Sequence, residues 1–596
     1  MTADPHARTA PVSCTAPATY TTIDAASSPS FSCDGRTLFH LRGAGLTQVW
    51  ALDLDSDSAQ QLTFHDERVA LLRRAPGDDR LIYGIDAGGD ERQQLWLLED
   101  GQSRPLTDAP GVIHGFGAWS PDGSRISLTA NDRDEAHFDV LLLDPATGER
   151  TRLFQGTHEA TAAAWHPSGV RLAALLDRNS GDQRPMVLHM DGAVQAVPRA
   201  APARYASLRW TPDGAALMGL TDAGRDDMAL CCIDPASGEA TPVFAPPGRD
   251  VEAWALAPGG GLLATVENDR GYALLRVGPV DGDRPVVAGL PRGVVSDPAW
   301  SPDGATLAFA AGSPTEPSGL WLWRDGAVRP LWRSECAAPV QNFDLVEWES
   351  IDGRRIPGWF ALPPGPPLAA GHPAVVWVHG GPAAQARAGF RPDMQALLAQ
   401  GYAVLMPNVR GSTGYGRAAM ESDDRENRLL SVHDLAAGGR WLAAHPGIDP
   451  ARIAVMGQSY GGYMALAAIT EHPELWRAAI DLYGIADFST LLASTGPWRR
   501  AHRADEYGDP VRHRALFDRI SPLRHVARIQ APLLVLHGTR DPRVAIGESE
   551  QIVAALRARG KPVQYEVFNY AGHGFIRPDD RVRVFAAVAA HLARYL

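Results

Sequence analysis

A serine at position 459 stands in the pattern Gly457-x-Ser459-x-Gly461. The residues before it, 453–456, suit a short buried strand, and Tyr460–Glu471 suits a helix of small residues. A strand that turns directly into a helix strains the backbone of the serine, and glycine two positions away on either side leaves room for the turn. A glycine-rich loop that happens to contain a serine is the alternative. The flanking strand and helix favour a nucleophile elbow that presents the Ser459 hydroxyl.

Two later residues supply the base and the acid that a serine nucleophile needs. His573 follows a predicted strand at residues 564–568, and Asp541 follows the preceding strand at 533–536. The order Ser459, Asp541, His573 is that of α/β hydrolases, in which the imidazole takes the serine proton and the carboxylate fixes its tautomer. Taken singly, Asp541 is equally well a turn residue, and His573 one loop histidine among 19. Their shared position at strand ends favours a triad, with Asp487 as the weaker candidate for the acid.

An oxyanion hole needs backbone amides directed at the charge that develops on a substrate carbonyl. The amide of Tyr460, directly after the nucleophile, is the first predicted donor. His379-Gly380-Gly381-Pro382 follows a predicted strand at residues 374–378, where this fold keeps its second donor. We assign that donor to the Gly381 amide, with His379 bracing the loop. An ordinary glycine turn is the alternative.

The elements that must position these residues alternate between strands and helices after Cys336. A hairpin at residues 342–362 turns at Asp352-Gly353, and a proline-rich loop follows it. Further strands are predicted at 374–378, 402–406, 453–456, 478–482, 533–536 and 564–568, and helices at 432–444, 460–471, 548–557 and 581–594. This alternation predicts an α/β-hydrolase domain with a mostly parallel, doubly wound sheet, whose chemistry gathers at the carboxyl ends of the strands.

The first half of the chain is a repeat. Turns of the Ser-Pro-Asp-Gly type recur between residue 20 and about residue 335, with their third positions at 34, 77, 122, 168, 213, 259 and 303. Proline presets the first turn angle and glycine takes the left-handed position, so each turn joins two short strands. A unit of 43 to 46 residues has room for four strands and is typical of a β-propeller blade. Seven copies predict seven blades; unrelated hairpins in a sandwich are the alternative.

Length and composition bound the class of protein. At 596 residues the chain is long enough for two domains, which we place at 1–340 (a propeller with an N-terminal extension) and 341–596 (a catalytic domain). A net charge of -13 without a basic cluster argues against nucleic acid as a partner. No segment has the roughly 20 apolar residues of a membrane helix, and the N-terminus lacks the apolar core of a signal peptide.

Cysteine use and ligand spacing narrow the class further. The five cysteines are odd in number and form no C-x-x-C pair, which predicts neither a disulfide framework nor a structural zinc site. A reducing compartment, and therefore a cytoplasmic location, fits this usage. No residue cluster has metal-ligand spacing and no glycine loop suits a phosphate, so we expect no metal and no cofactor.

Four motifs together resemble the prolyl oligopeptidase family. They are Gly457-Gln458-Ser459-Tyr460-Gly461-Gly462-Tyr463, His379-Gly380-Gly381-Pro382, Asn408-Val409-Arg410-Gly411-Ser412-Thr413-Gly414-Tyr415-Gly416 and His537-Gly538-x-x-Asp541-x-Arg543-Val544. The His-Gly-Gly-Pro form is most similar to the acylaminoacyl-peptidase branch. The resemblance implies a serine peptidase whose propeller covers the active site and excludes folded proteins. It also implies that Arg543 contacts a substrate carbonyl and that Val544 helps wall the pocket for the residue before the cut.

The chain departs from the prolyl-specific members of that family. They carry a tyrosine on the oxyanion loop where this chain has His379, and they stack an aromatic ring on proline shortly before a Tyr-Gly pair. Here Tyr507-Gly508 is present, but Arg503 stands in place of the ring, so Tyr507 is a substrate-binding candidate without strict proline specificity. Dipeptidyl peptidases of the family hold a free N-terminus with paired glutamates. The propeller sequence has no Glu-Glu pair, and Asp134-Glu135 is better explained as a solvated loop.

The leading interpretation is a cytoplasmic serine peptidase that acts on short peptides, either releasing N-acylated or N-terminal residues or cutting as an oligopeptidase. An esterase on the same fold is the nearest alternative, because a triad alone does not distinguish an ester from an amide. A dipeptidyl or prolyl-type peptidase is a further alternative. A propeller interaction protein with an inactive hydrolase domain is the alternative from another class. Self-association is compatible with the resemblance, although no sequence feature indicates it.

Overall fold

The structure is a computed structural model that describes residues 18–336, 338–366 and 368–596. Cys14 and almost all of the N-terminal extension lie outside the described residues. The described part of the chain contains no helix whose length and apolar character would let it cross a bilayer. A short helix, α1 (Ala18–Thr21), precedes the first strand.

Seven antiparallel sheets follow one another from Ala25 to Trp332, as the repeat predicts. In chain order they are blade 1, β1 (Ala25–Phe31), β2 (Thr37–Gly43), β3 (Gln48–Asp53) and β4 (Ala59–Gln61); blade 2, β5 (Val69–Arg74), β6 (Leu81–Ile85), β7 (Gln94–Glu99) and β8 (Gln102–Pro105); blade 3, β9 (His114–Trp119), β10 (Ile126–Asp134), β11 (His137–Leu143) and β12 (Arg150–Phe154); blade 4, β13 (Glu159–Trp165), β14 (Arg171–Asn179), β15 (Asp182–His189) and β16 (Val194–Ala196); blade 5, β17 (Tyr205–Trp210), β18 (Leu217–Thr221), β19 (Ala229–Ile233) and β20 (Ala240–Phe244); blade 6, β21 (Val251–Leu256), β22 (Leu262–Asp269) and β23 (Tyr272–Pro279); and blade 7, β24 (Val294–Trp300), β25 (Thr306–Ser313), β26 (Glu316–Arg324) and β27 (Ala327–Trp332).

The repeated turns join the first and second strands of each blade. In blades 1, 3 and 7 the turn glycines Gly35, Gly123 and Gly304 have φ of 73°, 69° and 69°, which is the left-handed conformation that the pattern predicts. Neighbouring blades contact one another around the ring, mostly through their first strands, and β1 contacts β24 to close it. The first strands therefore surround the central channel, and the fold is a seven-bladed β-propeller.

One eight-stranded sheet follows the propeller, with the strand order β28-β29-β31-β30-β32-β33-β34-β35. The β28-β29 hairpin and the β29-β31 pair are antiparallel, and all other pairs are parallel. The strands are β28 (Asp344–Glu349), β29 (Arg355–Ala361), β30 (His372–Val378), β31 (Ala403–Pro407), β32 (Ile448–Gln458), β33 (Ala478–Leu482), β34 (Leu533–Gly538) and β35 (Val563–Phe568). Every side chain of β30, β31, β33 and β34 is buried, as in a parallel sheet covered on both faces.

Helices cover both faces of this sheet and complete the α/β-hydrolase fold. They are α2 (Pro392–Ala399), α3 (Arg417–Met420), α4 (Arg428–Ala443), α5 (Tyr460–Glu471), α6 (Phe488–Ser494), α7 (Pro497–Tyr507), α8 (Arg514–Ile520), α9 (Gly547–Arg557) and α10 (Pro578–Tyr595), with 3-10 turns at Glu421–Asp423, Arg425–Asn427 and Pro522–Arg528. The sequence predicts α4, α5, α9 and α10 but not α2 or the segment from α6 to α8. That segment lies between β33 and β34, beside the triad loops.

Candidate active site

Ser459 occupies the sharp turn between β32 and α5. Its φ of 58° and ψ of -122° are a conformation that non-glycine residues rarely adopt. A Cβ on Gly457 would lie 2.1 Å from the Gly461 carbonyl oxygen, and a Cβ on Gly461 would lie 2.1 Å from the Val378 carbonyl oxygen. Both positions therefore require glycine, since no real Cβ approaches an oxygen so closely. The elbow holds the serine at the carboxyl end of β32.

Three side chains from separate loops form a continuous hydrogen-bonded chain. His573 Nε2 lies 2.9 Å from Ser459 Oγ, and His573 Nδ1 lies 2.6 Å from Asp541 Oδ2. The other oxygen of Asp541 accepts the backbone amides of Arg543 at 2.8 Å and Val544 at 3.0 Å. The carboxylate is thereby fixed in direction, and it orients the imidazole toward the serine hydroxyl.

Burial and nearby charges set the protonation states of His573 and Asp541. Burial lowers the pKa of His573 below its usual value, although the neighbouring Asp541 carboxylate opposes that shift. Burial alone would raise the pKa of Asp541, but His573 and His537 outweigh it and hold that pKa well below its usual range. The ring of Tyr483 packs edge-on to the His573 ring at 4.9 Å. The site thus holds a neutral imidazole beside an ionised carboxylate at neutral pH, as a general base requires.

One predicted oxyanion donor directly follows the serine, and the loop that carries the other runs close to it. The Tyr460 amide begins α5, and neither it nor the Gly381 amide donates to another described residue. A Cβ on Gly380 would lie 3.4 Å from Ser459 Cβ, so this loop runs close to the nucleophile. His379 is buried, and its ring bonds to Ser412 Oγ at 2.9 Å and to the Gly380 carbonyl at 2.7 Å.

The two predicted pocket residues and Arg503 are enclosed by protein. Val544 and Tyr507 are 3% and 1% exposed. Arg503 bonds to Glu506 at 3.0 Å and to the Gly381 carbonyl at 3.4 Å, and its guanidinium lies 5.7 Å from the Tyr507 ring centre. An arginine therefore fills the space over Tyr507 beside the oxyanion loop.

The propeller contributes residues to the site that sequence reasoning missed. Glu91, in the loop between β6 and β7, forms an ion pair with Arg543 and another with Arg499 at 3.0 Å. The β6–β7 loop also accepts two backbone hydrogen bonds from the loop that carries His573, here called the histidine loop. Gly572 N donates to Gly88 O at 2.8 Å, and His573 N donates to Gly89 O at 3.2 Å. The adjacent glycines Gly88 and Gly89, in blade 2 with its less regular turn, were the one sequence signal of a close backbone approach.

A second propeller feature faces the same space. Glu159 and Asp177 are register partners on β13 and β14 of blade 4. Desolvation inside the channel, reinforced by the charge of Glu159, raises the pKa of Asp177 to about 7, and the same desolvation raises the pKa of Glu159, whose side chain stays open to the channel solvent. Glu159 is close enough to Arg499 and Arg543 to feel their charge but forms no ion pair with a described residue. Two carboxylates thus lie side by side near the triad without a fixed cation.

The remaining acidic candidates lie elsewhere. Asp487 caps α6 by accepting the Ser489 amide at 2.8 Å and pairs with Arg524 at 2.8 Å, so it does not orient His573. Asp134 is exposed and accepts the amide of Ala136 at 2.8 Å, within the hairpin turn of blade 3. This geometry is that of a solvated turn.

Fold and site together define an α/β hydrolase with an N-terminal β-propeller. Residues 388–596 match the sequence profile described as the prolyl oligopeptidase family. Dipeptidyl aminopeptidase BIII of Pseudoxanthomonas mexicana is 29% identical over 597 residues, which cover 95% of this chain and 86% of that protein. The C-terminal part of the chain is thus similar to the prolyl oligopeptidase family, and the chain is a serine-type peptidase.

The chain is also similar in sequence to an acylamino-acid-releasing enzyme and in structure to puromycin hydrolase. The acylamino-acid-releasing enzyme of Arabidopsis thaliana is 30% identical over 241 residues, which cover 37% of this chain and 30% of that enzyme. The crystal structure of puromycin hydrolase superimposes with a TM-score of 0.87 at 21% identity and covers 98% of this chain and 97% of the other. The structural similarity to puromycin hydrolase shows that the two proteins share the fold of both the propeller and the hydrolase domain.

Proposed function

We propose that Ser459, His573 and Asp541 are the catalytic residues of a peptidase that acts on short peptides through an acyl-enzyme. His573 Nε2 takes the Ser459 proton as Oγ attacks the scissile carbonyl, and the imidazolium returns that proton to the leaving amine. A water then attacks the acyl-enzyme and gives one proton to His573, which passes it to Ser459 Oγ as the bond to the acyl group breaks and the acid leaves. The observation that carries this proposal is the chain of hydrogen bonds of 2.9 Å and 2.6 Å among the three side chains.

The proposal assigns the amides of Tyr460 and Gly381 to the oxyanion hole, with His379 bracing the loop. Both amides lack another described acceptor, and they flank the serine from α5 and from the loop after β30. Such donors act when charge moves onto the carbonyl oxygen, where loss of one donor costs about 10²-fold or more in rate.

The division of the chain at residues 340 and 341 remains part of the proposal: residues 1–340 restrict access and residues 341–596 carry the chemistry. Contacts from blade 2 to the loop that carries His573 and to Arg543 support it, because they join the propeller to two of the proposed site residues. Arg543 would contact the substrate carbonyl next to the scissile residue. Val544 and Tyr507 would shape the adjoining pocket from within the core.

The choice of substrate terminus is open to two candidates. Acylaminoacyl cleavage is favoured by the His379-Gly380-Gly381-Pro382 loop. Aminopeptidase cleavage is favoured by Glu159 and Asp177, because an unpaired pair of carboxylates near a scissile bond suits a substrate ammonium group. The dipeptidyl aminopeptidase relative supports the second candidate. Arg503 over Tyr507 speaks against a strict requirement for proline.

A matched substrate panel tests these assignments. It contains one peptide with a free N-terminus, the same peptide N-acetylated, a prolyl analogue and a simple ester. Glu159→Gln should raise KM for the free-amine peptide at least fivefold and leave the acetylated one unchanged if the amine binds there. Glu135→Gln, an exposed carboxylate of the same propeller, is the control. Equal loss on both peptides would refute an amine site, and activity on the ester alone would replace peptidase with esterase.

Location and assembly are also proposals. We infer a reducing, cytoplasmic compartment because the four described cysteines, Cys33, Cys231, Cys232 and Cys336, are free. Self-association stays a prediction, to be checked by light scattering.

A further inference from the structure

The propeller channel contains a cavity at the end that lies away from the hydrolase domain. The cavity measures about 850 Å³, and residues of the repeated turns, Pro76 and Pro121, help to line it. The opposite ends of the blades, at Gly88 and Asn179, contact the hydrolase domain.

Two arginines point their charge into this cavity. Arg73 is on β5 of blade 2, Arg209 is on β17 of blade 5, and both side chains line the cavity. Arg73 donates to its neighbour's carbonyl, Leu72 O, at 2.8 Å, and Arg209 has no hydrogen bond to any described residue. Neither forms an ion pair with the described part of the chain. Two guanidinium groups from separate blades thus lack an ion-paired carboxylate, and only Arg73 feels an opposite charge, that of Asp297.

The remaining lining does not neutralise them. Asp297 is the one carboxylate among the described residues that line the cavity, and it accepts Ser28 N at 3.2 Å and Ser296 Oγ at 3.0 Å. Arg209 is open to solvent inside the channel, where desolvation by the surrounding protein lowers its pKa and the nearby charge of Arg73 lowers it further. Like charges held together in a confined space are unfavourable, and an anion between them would relieve that repulsion.

We propose that Arg73 and Arg209 form an anion-binding site that takes the C-terminal carboxylate of a peptide inside the propeller channel. Planar guanidinium groups bind carboxylates in a bidentate manner, which suits this ligand. The peptide nature of the ligand rests on the proposed function.

The layout of the channel supports a peptide rather than a free ion. Arg73 and Arg209 are each the fifth residue of their innermost strands, and Glu159 is the first residue of the equivalent strand β13. Four residues of strand span about 13 Å. Thr161 lines the cavity, and its Oγ1 lies 3.5 Å from Oδ2 of Asp177 at the active-site end. One residue thus joins the arginine end of the channel to the carboxylate end. An extended segment of about four residues reaches from the active-site end to the arginines.

Equilibrium binding to the Ser459→Ala protein tests the site without turnover. The probes are one N-acetylated hexapeptide with a free C-terminal carboxylate and the same peptide as its C-terminal amide. We expect the acid to bind about tenfold tighter than the amide, because charge-assisted bonds are lost with the amide. Arg73→Gln and Arg209→Gln, each added to Ser459→Ala, should abolish that ratio. Arg329→Gln, which removes an exposed arginine of β27 with no described ion pair, should preserve it.

The remaining outcomes are equally decisive. The proposal is overturned if both glutamine variants keep the acid-to-amide affinity ratio of the parent. It is also overturned if Arg329→Gln lowers that ratio as much as Arg73→Gln and Arg209→Gln do. If inorganic phosphate binds in an Arg209-dependent manner while the two peptides bind equally, the site does not take a peptide terminus and the proposal is wrong. Arg209→Lys, which keeps the charge, should retain part of the ratio and covers the case in which a glutamine variant misfolds. Failure of the peptidase assignment would appear instead as absent turnover in the parent with the binding ratio intact.

Discussion

Replacing Gly572 with alanine should disable the enzyme by moving the histidine loop rather than by removing a reacting group. A Cβ at this position would lie 2.0 Å from the Gly89 carbonyl oxygen and 2.7 Å from Asp90 N. Both atoms belong to the propeller loop that already accepts the Gly572 and His573 amides. The added methyl group therefore pushes the histidine loop away from blade 2.

The size of the effect follows from the distances. A carbon and an oxygen need about 3.2 Å, so the loop must shift by about 1 Å, and a displacement of that size in a catalytic group costs about 10²-fold in rate. The 2.9 Å bond between His573 Nε2 and Ser459 Oγ would lengthen correspondingly. We expect kcat to fall about 100-fold, with a smaller change in KM because the substrate pocket is not altered.

The assay combines steady-state kinetics on a chromogenic peptide with the rate of fluorophosphonate labelling. Gly547→Ala is the matched control, because no atom lies within 4 Å of the added Cβ and the residue begins α9 of the same domain. Near-parental kcat and labelling in Gly572→Ala would show that contact with the propeller does not position His573, and the reasoning would be refuted.

Three further predictions follow from the site. Ser459→Ala should abolish fluorophosphonate labelling while leaving the thermal transition near that of the parent; continued labelling would mean that another residue is the nucleophile. The rate kcat/KM should rise with pH as His573 loses its proton, with a midpoint below pH 6.5 because burial lowers that pKa. A midpoint above pH 6.5 in the parent would contradict this prediction. In Asp541→Asn the midpoint should move to lower pH, since a carboxylate that raises the pKa of His573 is gone, and the plateau of kcat/KM should fall about 10⁴-fold. Glu91→Gln should release Arg543 and raise KM about two- to tenfold with little change in kcat, as expected for loss of a partly exposed ion pair; an unchanged KM would show that the ion pair does not position Arg543.

Local residue patterns were sufficient to predict most of the architecture. Each repeated turn carries its own conformational preference, so six plain copies and a seventh, less regular one at residues 75–78 predicted seven blades before any contact was known. The run of apolar residues before Gly457 and the glycines around Ser459 predicted the elbow for the same reason, because the steric requirement lies within five residues. The helices α6 to α8 were missed because they are short, at 7, 11 and 7 residues, and give an apolar period few turns in which to repeat.

Tertiary structure alone decided which distant groups complete the site. Glu91 lies 452 residues from Arg543 in sequence, and nothing around either residue indicates their ion pair. Glu159 and Asp177 read as ordinary strand residues until the fold places them near the triad, and Arg73 and Arg209 face one channel only because seven blades close into a ring. Turn and strand preferences are short-range and therefore visible in sequence, whereas the environment of a charge depends on which elements pack around it.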